Sequence, residues 1–341
     1  MAELARQDVS HPPVHEQPGT QVIRLRDGRR LAYTELGDPY GVPIFHQHGM
    51  PGSRLEYVAE PEFYRFMGVR VITPDRPGYG LSDPHPHRPL LDWPSDVAEL
   101  ADSLGIRRFG ITGLSGGGIY ALACAAAIPH RLTDVVVTGC PGPMQREGAL
   151  ADMRFMTRAG VWLGSRAPWL LNAGATVLSG LVRRYPRFFV EQANRDKPAA
   201  DRRWLTMPAV SAGAVETLRE AVRPGMWGYV QDVRVLAQPW GFAVEDIRVP
   251  VQLWHGDEDT VIPLHHGRYL ASVIPGATLR VCPGEAHMVM WNHLAEILMA
   301  AAGMPAQPGR SVRGPESIRP LTAGSFDSGP RPGGPRTLIP S

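Results

Sequence analysis

One stretch constrains the fold more than any other. Phe109–Gly113 is a short apolar run. It passes through Leu114-Ser115 into Gly116–Ala127, a segment of small apolar residues that Pro129 ends. An apolar run of strand length followed at once by an all-round apolar helix requires burial of both, which is the situation of a parallel sheet covered on its two faces. The joint between them reads Gly113-Leu114-Ser115-Gly116-Gly117, a G-x-S-x-G pattern. A strand that reverses sharply into a helix holds the central serine up and exposed. The residues two before and two after it come too close to neighbouring backbone to carry a Cβ.

The same alternation recurs along the chain. Gln21–Leu25 and Arg30–Thr34 flank Asp27-Gly28, a hairpin signal. Pro43–His48, Val69–Pro74, Asp134–Thr138, Val249–His255 and Thr278–Cys282 read as further strands, and Pro94–Leu104 as a helix with Val97, Leu100, Ala101 and Leu104 on one face. The expected architecture is α/β: a mostly parallel central sheet with helices on both faces. Residues 21–140 and 248–302 form its core. Residues 141–247 break the rhythm. They hold helical patterns, five tryptophans (162, 169, 204, 227 and 240) and no strand signal. They are expected to be a helical lid above the carboxyl ends of the strands, where open α/β sheets bind ligands, and its tryptophans to help choose the substrate. Residues 1–20 and the Gly/Pro-rich 303–341 are expected to be a disordered lead and tail.

Composition excludes several classes. The formal net charge is only +2, which favours no nucleic-acid partner. No run of about 18 apolar residues is present, so no membrane span is expected. The three cysteines (124, 140 and 282) stand singly among apolar neighbours, as in a reduced, cytoplasmic protein. They lack metal-ligand spacing, and no phosphate loop or dinucleotide fingerprint occurs in context. No metal or cofactor is expected. Lys197 is the only lysine, read as the codon bias of a GC-rich, bacterial genome. Oligomeric state is left open.

A serine becomes a nucleophile when a histidine takes its proton and an acid holds that histidine in the right tautomer. With a G-x-S-x-G joint the partners follow in the order serine, acid, histidine. The acid falls in Gly256-Asp257-Glu258-Asp259, after a buried strand. Asp259 is favoured, Asp257 being suited to capping its own turn, and Glu258 ranks lower. The base is His287, in Gly284-Glu285-Ala286-His287 after the last strand. An oxyanion formed by attack needs two N–H donors. Gly116 supplies one, and Met50 in His48-Gly49-Met50-Pro51-Gly52 the other, since Pro51 has no N–H. His48 is expected to hold that loop.

These pieces resemble the α/β-hydrolase-fold serine hydrolases, the broad group that includes proline iminopeptidases and esterases. The matching motifs are His48–Gly52, Asp75–Asp83, Gly113–Gly117, Gly256–Asp259 and Gly284–His287, in family order across residues 21–302. The resemblance implies an acyl-enzyme on Ser115 and a structural Asp75–Asp83 loop. Two departures stand out: Met50 where proline iminopeptidases carry a glycine, and Ala286 where glycine is common. Ser115 also separates the chain from epoxide hydrolases and haloalkane dehalogenases, which have aspartate there. The implied reaction is hydrolysis of a carboxylic ester or lactone of a small, mostly apolar molecule. Aminopeptidase, carbon–carbon hydrolase, thioesterase or acyltransferase chemistry on the same residues is the alternative, and a hydrolase-fold ligand receptor the non-enzymatic one. An aminopeptidase needs a carboxylate in the lid for the substrate amine. Glu191, Glu216 and Glu220 are available, and surface helix positions are expected for all three.

Overall fold

Eight strands make one sheet. In the computed structural model, which describes residues 19–56 and 59–304, they are β1 (Thr20–Arg24), β2 (Arg30–Gly37), β3 (Val42–Gln47), β4 (Val69–Pro74), β5 (Phe109–Leu114), β6 (Leu132–Thr138), β7 (Val251–Gly256) and β8 (Thr278–Cys282). Their order across the sheet is β1-β2-β4-β3-β5-β6-β7-β8. Only the pairings of β2, with β1 and with β4, are antiparallel; β4 through β8 run parallel. The read strands match these to within a few residues. The lead read as 1–20 is shorter, because β1 begins at Thr20 and completes the hairpin with β2; residues 1–18 and 305–341, including nearly all of the read tail, lie outside the described residues.

The helices are α1 (Pro61–Phe66), α2 (Trp93–Ser103), α3 (Gly117–Ala127), α4 (Phe155–Arg166), α5 (Pro168–Arg184), α6 (Pro186–Arg195), α7 (Ala199–Leu205), α8 (Pro208–Ala221), α9 (Trp227–Ala237), α10 (His265–Val273), α11 (Val289–Asn292) and α12 (Leu294–Ala301). Successive side chains of a strand point to opposite faces, and both faces here are apolar. Phe45, Ile72, Ile111, Val135, Val137 and Leu253 pack with α2, α3 and α10. Ile44, Val71, Val136 and Trp254 pack with α1, α11 and α12. Val135-Val136-Val137 thus serves two cores in three residues. Cys124, Cys140 and Cys282 are buried and unpaired.

Helices α4–α9 all lie between β6 and β7. A buried charge cluster fixes α9 to the core. Asp232 accepts from Arg76 (2.7 and 2.9 Å), Arg88 (2.7 Å), Tyr79 (3.0 Å) and Tyr120 (2.5 Å). Asp232 and all four donors are at most 4 % exposed. The Asp75–Asp83 loop is therefore structural, as its resemblance implied. Its Asp75 also accepts from Arg54, whose other carboxylate partner is Glu220 of α8 at 2.6 Å. Glu220 is consequently not at the surface: it is 5 % exposed because it offsets a fully buried guanidinium. No described helix is long and apolar enough to cross a membrane.

Candidate active site

The site is assembled at the carboxyl ends of β3, β5, β6, β7 and β8. Ser115 follows β5 directly and has φ of +53°, a left-handed conformation that costs a non-glycine residue about 1–3 kcal/mol. Its backbone is held from both sides: Ser115 N–H donates to the Thr138 carbonyl (2.8 Å), and its own carbonyl accepts from Gly118 N–H (2.9 Å). A Cβ on Gly117 would collide with the Gln47 and His48 carbonyls, and one on Gly113 would approach the Gly117 carbonyl at 2.7 Å. Those contacts are why glycine flanks the serine at these two positions.

His287 and Asp259 meet as expected. His287 Nδ1 lies 2.7 Å from Asp259 Oδ2, and both residues are under 9 % exposed. A carboxylate acceptor fixes the proton on Nδ1 and leaves the Nε2 lone pair free. The second oxygen of Asp259 accepts the Val261 and Ile262 N–H groups at 2.8 and 2.9 Å. Burial alone raises the Asp259 pKa, but His287 and these donors hold it below the ordinary value. For His287 burial acts downward, and the Asp259 charge and hydrogen bond outweigh it, so the net shift is upward. The imidazole sits over the backbone that anchors Ser115: a Cβ on Gly139, one residue beyond Thr138, would lie 3.1 Å from the His287 ring and 3.4 Å from Asp259 Oδ2. Among the described residues Ser115 Oγ has no hydrogen-bond partner.

The Met50 loop reaches the same place. The Met50 side chain covers Gly116 so closely that a Cβ there would strike its sulfur. Neither the Met50 nor the Gly116 N–H donates to an acceptor among the described residues. His48 holds the loop, its Nδ1 at 2.9 Å from the Gly49 carbonyl and its Nε2 accepting the Arg76 N–H at 3.2 Å. Asp257, by contrast, is exposed and accepts the Gly284 N–H of the loop after β8 (2.8 Å). Glu258 gives the turn its backbone N–H and no side-chain contact with His287.

Four residues at the site escaped the sequence reading. Glu56 accepts the Gly49 N–H with both oxygens at 2.7 and 2.8 Å; burial lifts its pKa to about 7 against that bond. Asp201 of α7 accepts the Met288 N–H at 2.8 Å, pinning the helical layer beside His287. Lys197, in the preceding turn, is lowered by burial and acts electrostatically on Asp201, Asp259 and His287. His255 props the acid's loop from below, 2.7 Å from the Ile262 carbonyl. None sits in a motif; each reaches the site only through the tertiary fold. Of the tryptophans between β6 and β7, Trp204 packs in one cluster with Met288, next to His287. Trp204 and Trp240 are packing residues at 2 % and 4 % exposure, and Trp162 and Trp169 face outward at 59 % and 73 %. Trp227 packs on Gly78.

Cys282, Glu285 and His293 place possible metal-ligand atoms within 4.8 Å of one another. Both His293 nitrogens are already engaged by Glu285 (3.1 Å) and Glu296 (3.0 Å), which makes this an ion-pair cluster.

Comparison with known proteins agrees with the geometry. A proline iminopeptidase from Xylella fastidiosa is 25 % identical over 322 residues, covering 82 % of this chain and 94 % of its own. A pimeloyl-[acyl-carrier protein] methyl ester esterase from Aromatoleum aromaticum is 29 % identical over 238 residues, 66 % of this chain and 83 % of its own. The crystal structure of a bromoperoxidase from Bacillus anthracis superposes with a TM-score of 0.62 at 19 % identity, covering 83 % and 99 % of the two chains. Residues 44–300 match the model of the alpha/beta hydrolase family. With its sheet order, serine turn and motif order in place, the chain belongs to that family and is a hydrolase.

Proposed function

We propose that the chain hydrolyses a carboxylic ester or lactone of a small, mostly apolar molecule through an acyl-enzyme on Ser115. The observation that carries this reading is the 2.7 Å His287–Asp259 contact set above the strained serine turn. Ser115 Oγ attacks the carbonyl carbon while His287 Nε2 takes its proton. The carbonyl oxygen becomes an oxyanion facing the uncommitted Met50 and Gly116 N–H groups. Collapse breaks the bond to the leaving oxygen, which takes the proton back from His287. Water, deprotonated by the same nitrogen, then attacks the acyl carbon, and Ser115 leaves with its proton restored. Helices α4–α9 act as a lid that limits what reaches the serine.

The esterase relative supports the bond type. The iminopeptidase relative raises the amide alternative, which lacks a free lid carboxylate at Glu220, since that residue is bound to Arg54. Ser115→Ala is expected to abolish p-nitrophenyl butyrate turnover and labelling by a fluorophosphonate. Wild-type rates in that variant refute the proposal. Turnover of a proline p-nitroanilide without ester hydrolysis replaces it by the aminopeptidase reading.

A further inference from the structure

Helix α5 is apolar on two opposite sides. Leu171, Ala175 and Val182 face inward, with Ala175 and Val182 buried. At 100° per residue Trp169, Ala173 and Val177 lie on the opposite side, and Leu181 continues their i, i+4 row toward its edge. This row lies bare, with Trp169 at 73 %, Val177 at 77 % and Leu181 at 51 % exposure. A helix that is apolar all round is ordinarily covered all round. The exposure is also concentrated: ten of the fourteen exposed large hydrophobic side chains among the described residues fall between residues 155 and 188. Phe155 and Trp162 extend the patch on α4, and Tyr185 and Phe188 beyond the end of α5. A patch of this kind marks an interaction surface.

Charge identifies what it meets. Residues 155–195 contain six arginines (158, 166, 183, 184, 187 and 195) and one acid, Glu191. All six arginines are exposed, and none has an ion-pair partner among the described residues. A second copy docking here about a two-fold axis would bring these like charges together. An apolar aromatic stripe rimmed by unpaired arginines instead suits a helix lying flat in an anionic interface, its side chains in the acyl boundary and its guanidinium groups on phosphates. With 17 residues, α5 is about 25 Å long, a length for lying in an interface and not for crossing one.

We infer that the outer face of α4–α6 docks on an anionic phospholipid bilayer surface. The inference is independent of which bond the site cleaves. The test is sedimentation of the full chain with large vesicles of phosphatidylcholine containing 30 % phosphatidylglycerol, beside pure phosphatidylcholine vesicles, at 50 and 500 mM salt. The expected result is pelleting with the anionic vesicles at low salt, weakened by high salt. Arg183→Gln with Arg184→Gln lowers the partition about 30-fold, and Trp169→Ser with Val177→Ser lowers it at least tenfold; unchanged thermal melting shows that both variants are folded. Failure to pellet with the anionic vesicles overturns the inference, as does equal binding to both vesicle types at both salts. Sedimentation equilibrium showing a dimer that the serine substitutions dissociate assigns the face to self-association and overturns it too.

Discussion

Replacing Asp259 by asparagine tests the site most sharply, because the change preserves shape and alters only hydrogen-bond polarity. One Asp259 oxygen accepts two backbone N–H groups at 2.8 and 2.9 Å, and the other faces His287 Nδ1 at 2.7 Å. An asparagine keeps its oxygen on the two donors, since turning its NH₂ toward them would oppose donors to donors. The NH₂ then faces Nδ1, which must become an acceptor, and the ring proton moves to Nε2. In that tautomer His287 cannot take the serine proton. The expected loss in kcat is about 10⁴, equivalent to about 5.4 kcal/mol of transition-state stabilisation. The assay is p-nitrophenyl butyrate hydrolysis, with Asp257→Asn as the companion: that residue bonds only a turn N–H, and its variant is expected to stay within threefold of wild type. A second signature separates a chemical from a structural loss. Without the Asp259 charge, the burial that presses the His287 pKa downward loses its two largest opponents and only Asp201 still acts upward, so the acid limb of kcat/KM moves to lower pH. Activity within tenfold of wild type in Asp259→Asn, or an equal loss in Asp257→Asn, refutes the assignment of the acid.

In the wild-type enzyme the base works only when neutral. With the His287 pKa raised above 6.5, kcat/KM is expected to fall as pH drops through a midpoint above that value; a pH–rate profile flat down to pH 5.5 contradicts the role of His287. Glu56, shifted to about 7, and Lys197 face the same ring, so the profile is to be repeated in Glu56→Gln. Asp232→Ala strands Arg76 and Arg88 in the interior and is expected to destabilise the fold by about 3–5 kcal/mol in urea unfolding; a loss under 1 kcal/mol would show that the cluster contributes little.

Local signals carried most of the fold. The serine turn and the alternating apolar runs depend on backbone geometry and period, which a sequence displays directly. Asp257 was set aside as a cap of its own turn; it is indeed spent on a backbone N–H, but on that of Gly284, 27 residues on in the loop after β8. What escaped was non-local. Glu220 sits on an amphipathic helix whose pattern says nothing of a fully buried arginine 166 positions away. Asp201 resembles any acid in a first helical turn, yet one of its oxygens accepts the Met288 N–H. The tryptophans between β6 and β7 read as substrate-choosing residues because aromatic residues in an insertion suggest a pocket, whereas two of them face outward. Net charge is likewise blind to position. A total of +2 conceals a 41-residue segment with six arginines and one acid, because a sum over the chain erases position.

The pairing of β6 with β7 has a further consequence. Val135 lies opposite Val251 in adjacent parallel strands, so roughly 110 residues of helix and turn are looped out between neighbours of one sheet. The entropy of closing such a loop grows only with the logarithm of its length, about 0.6 kcal/mol for each doubling. That is less than the contribution of one buried methylene. Closure entropy alone therefore lets the sheet and its serine turn accept an inserted segment half or twice as long, provided that Asp232 and Glu220 keep their buried partners. Over evolutionary time, the helices between β6 and β7 are free to change in length while the sheet beneath them keeps its order.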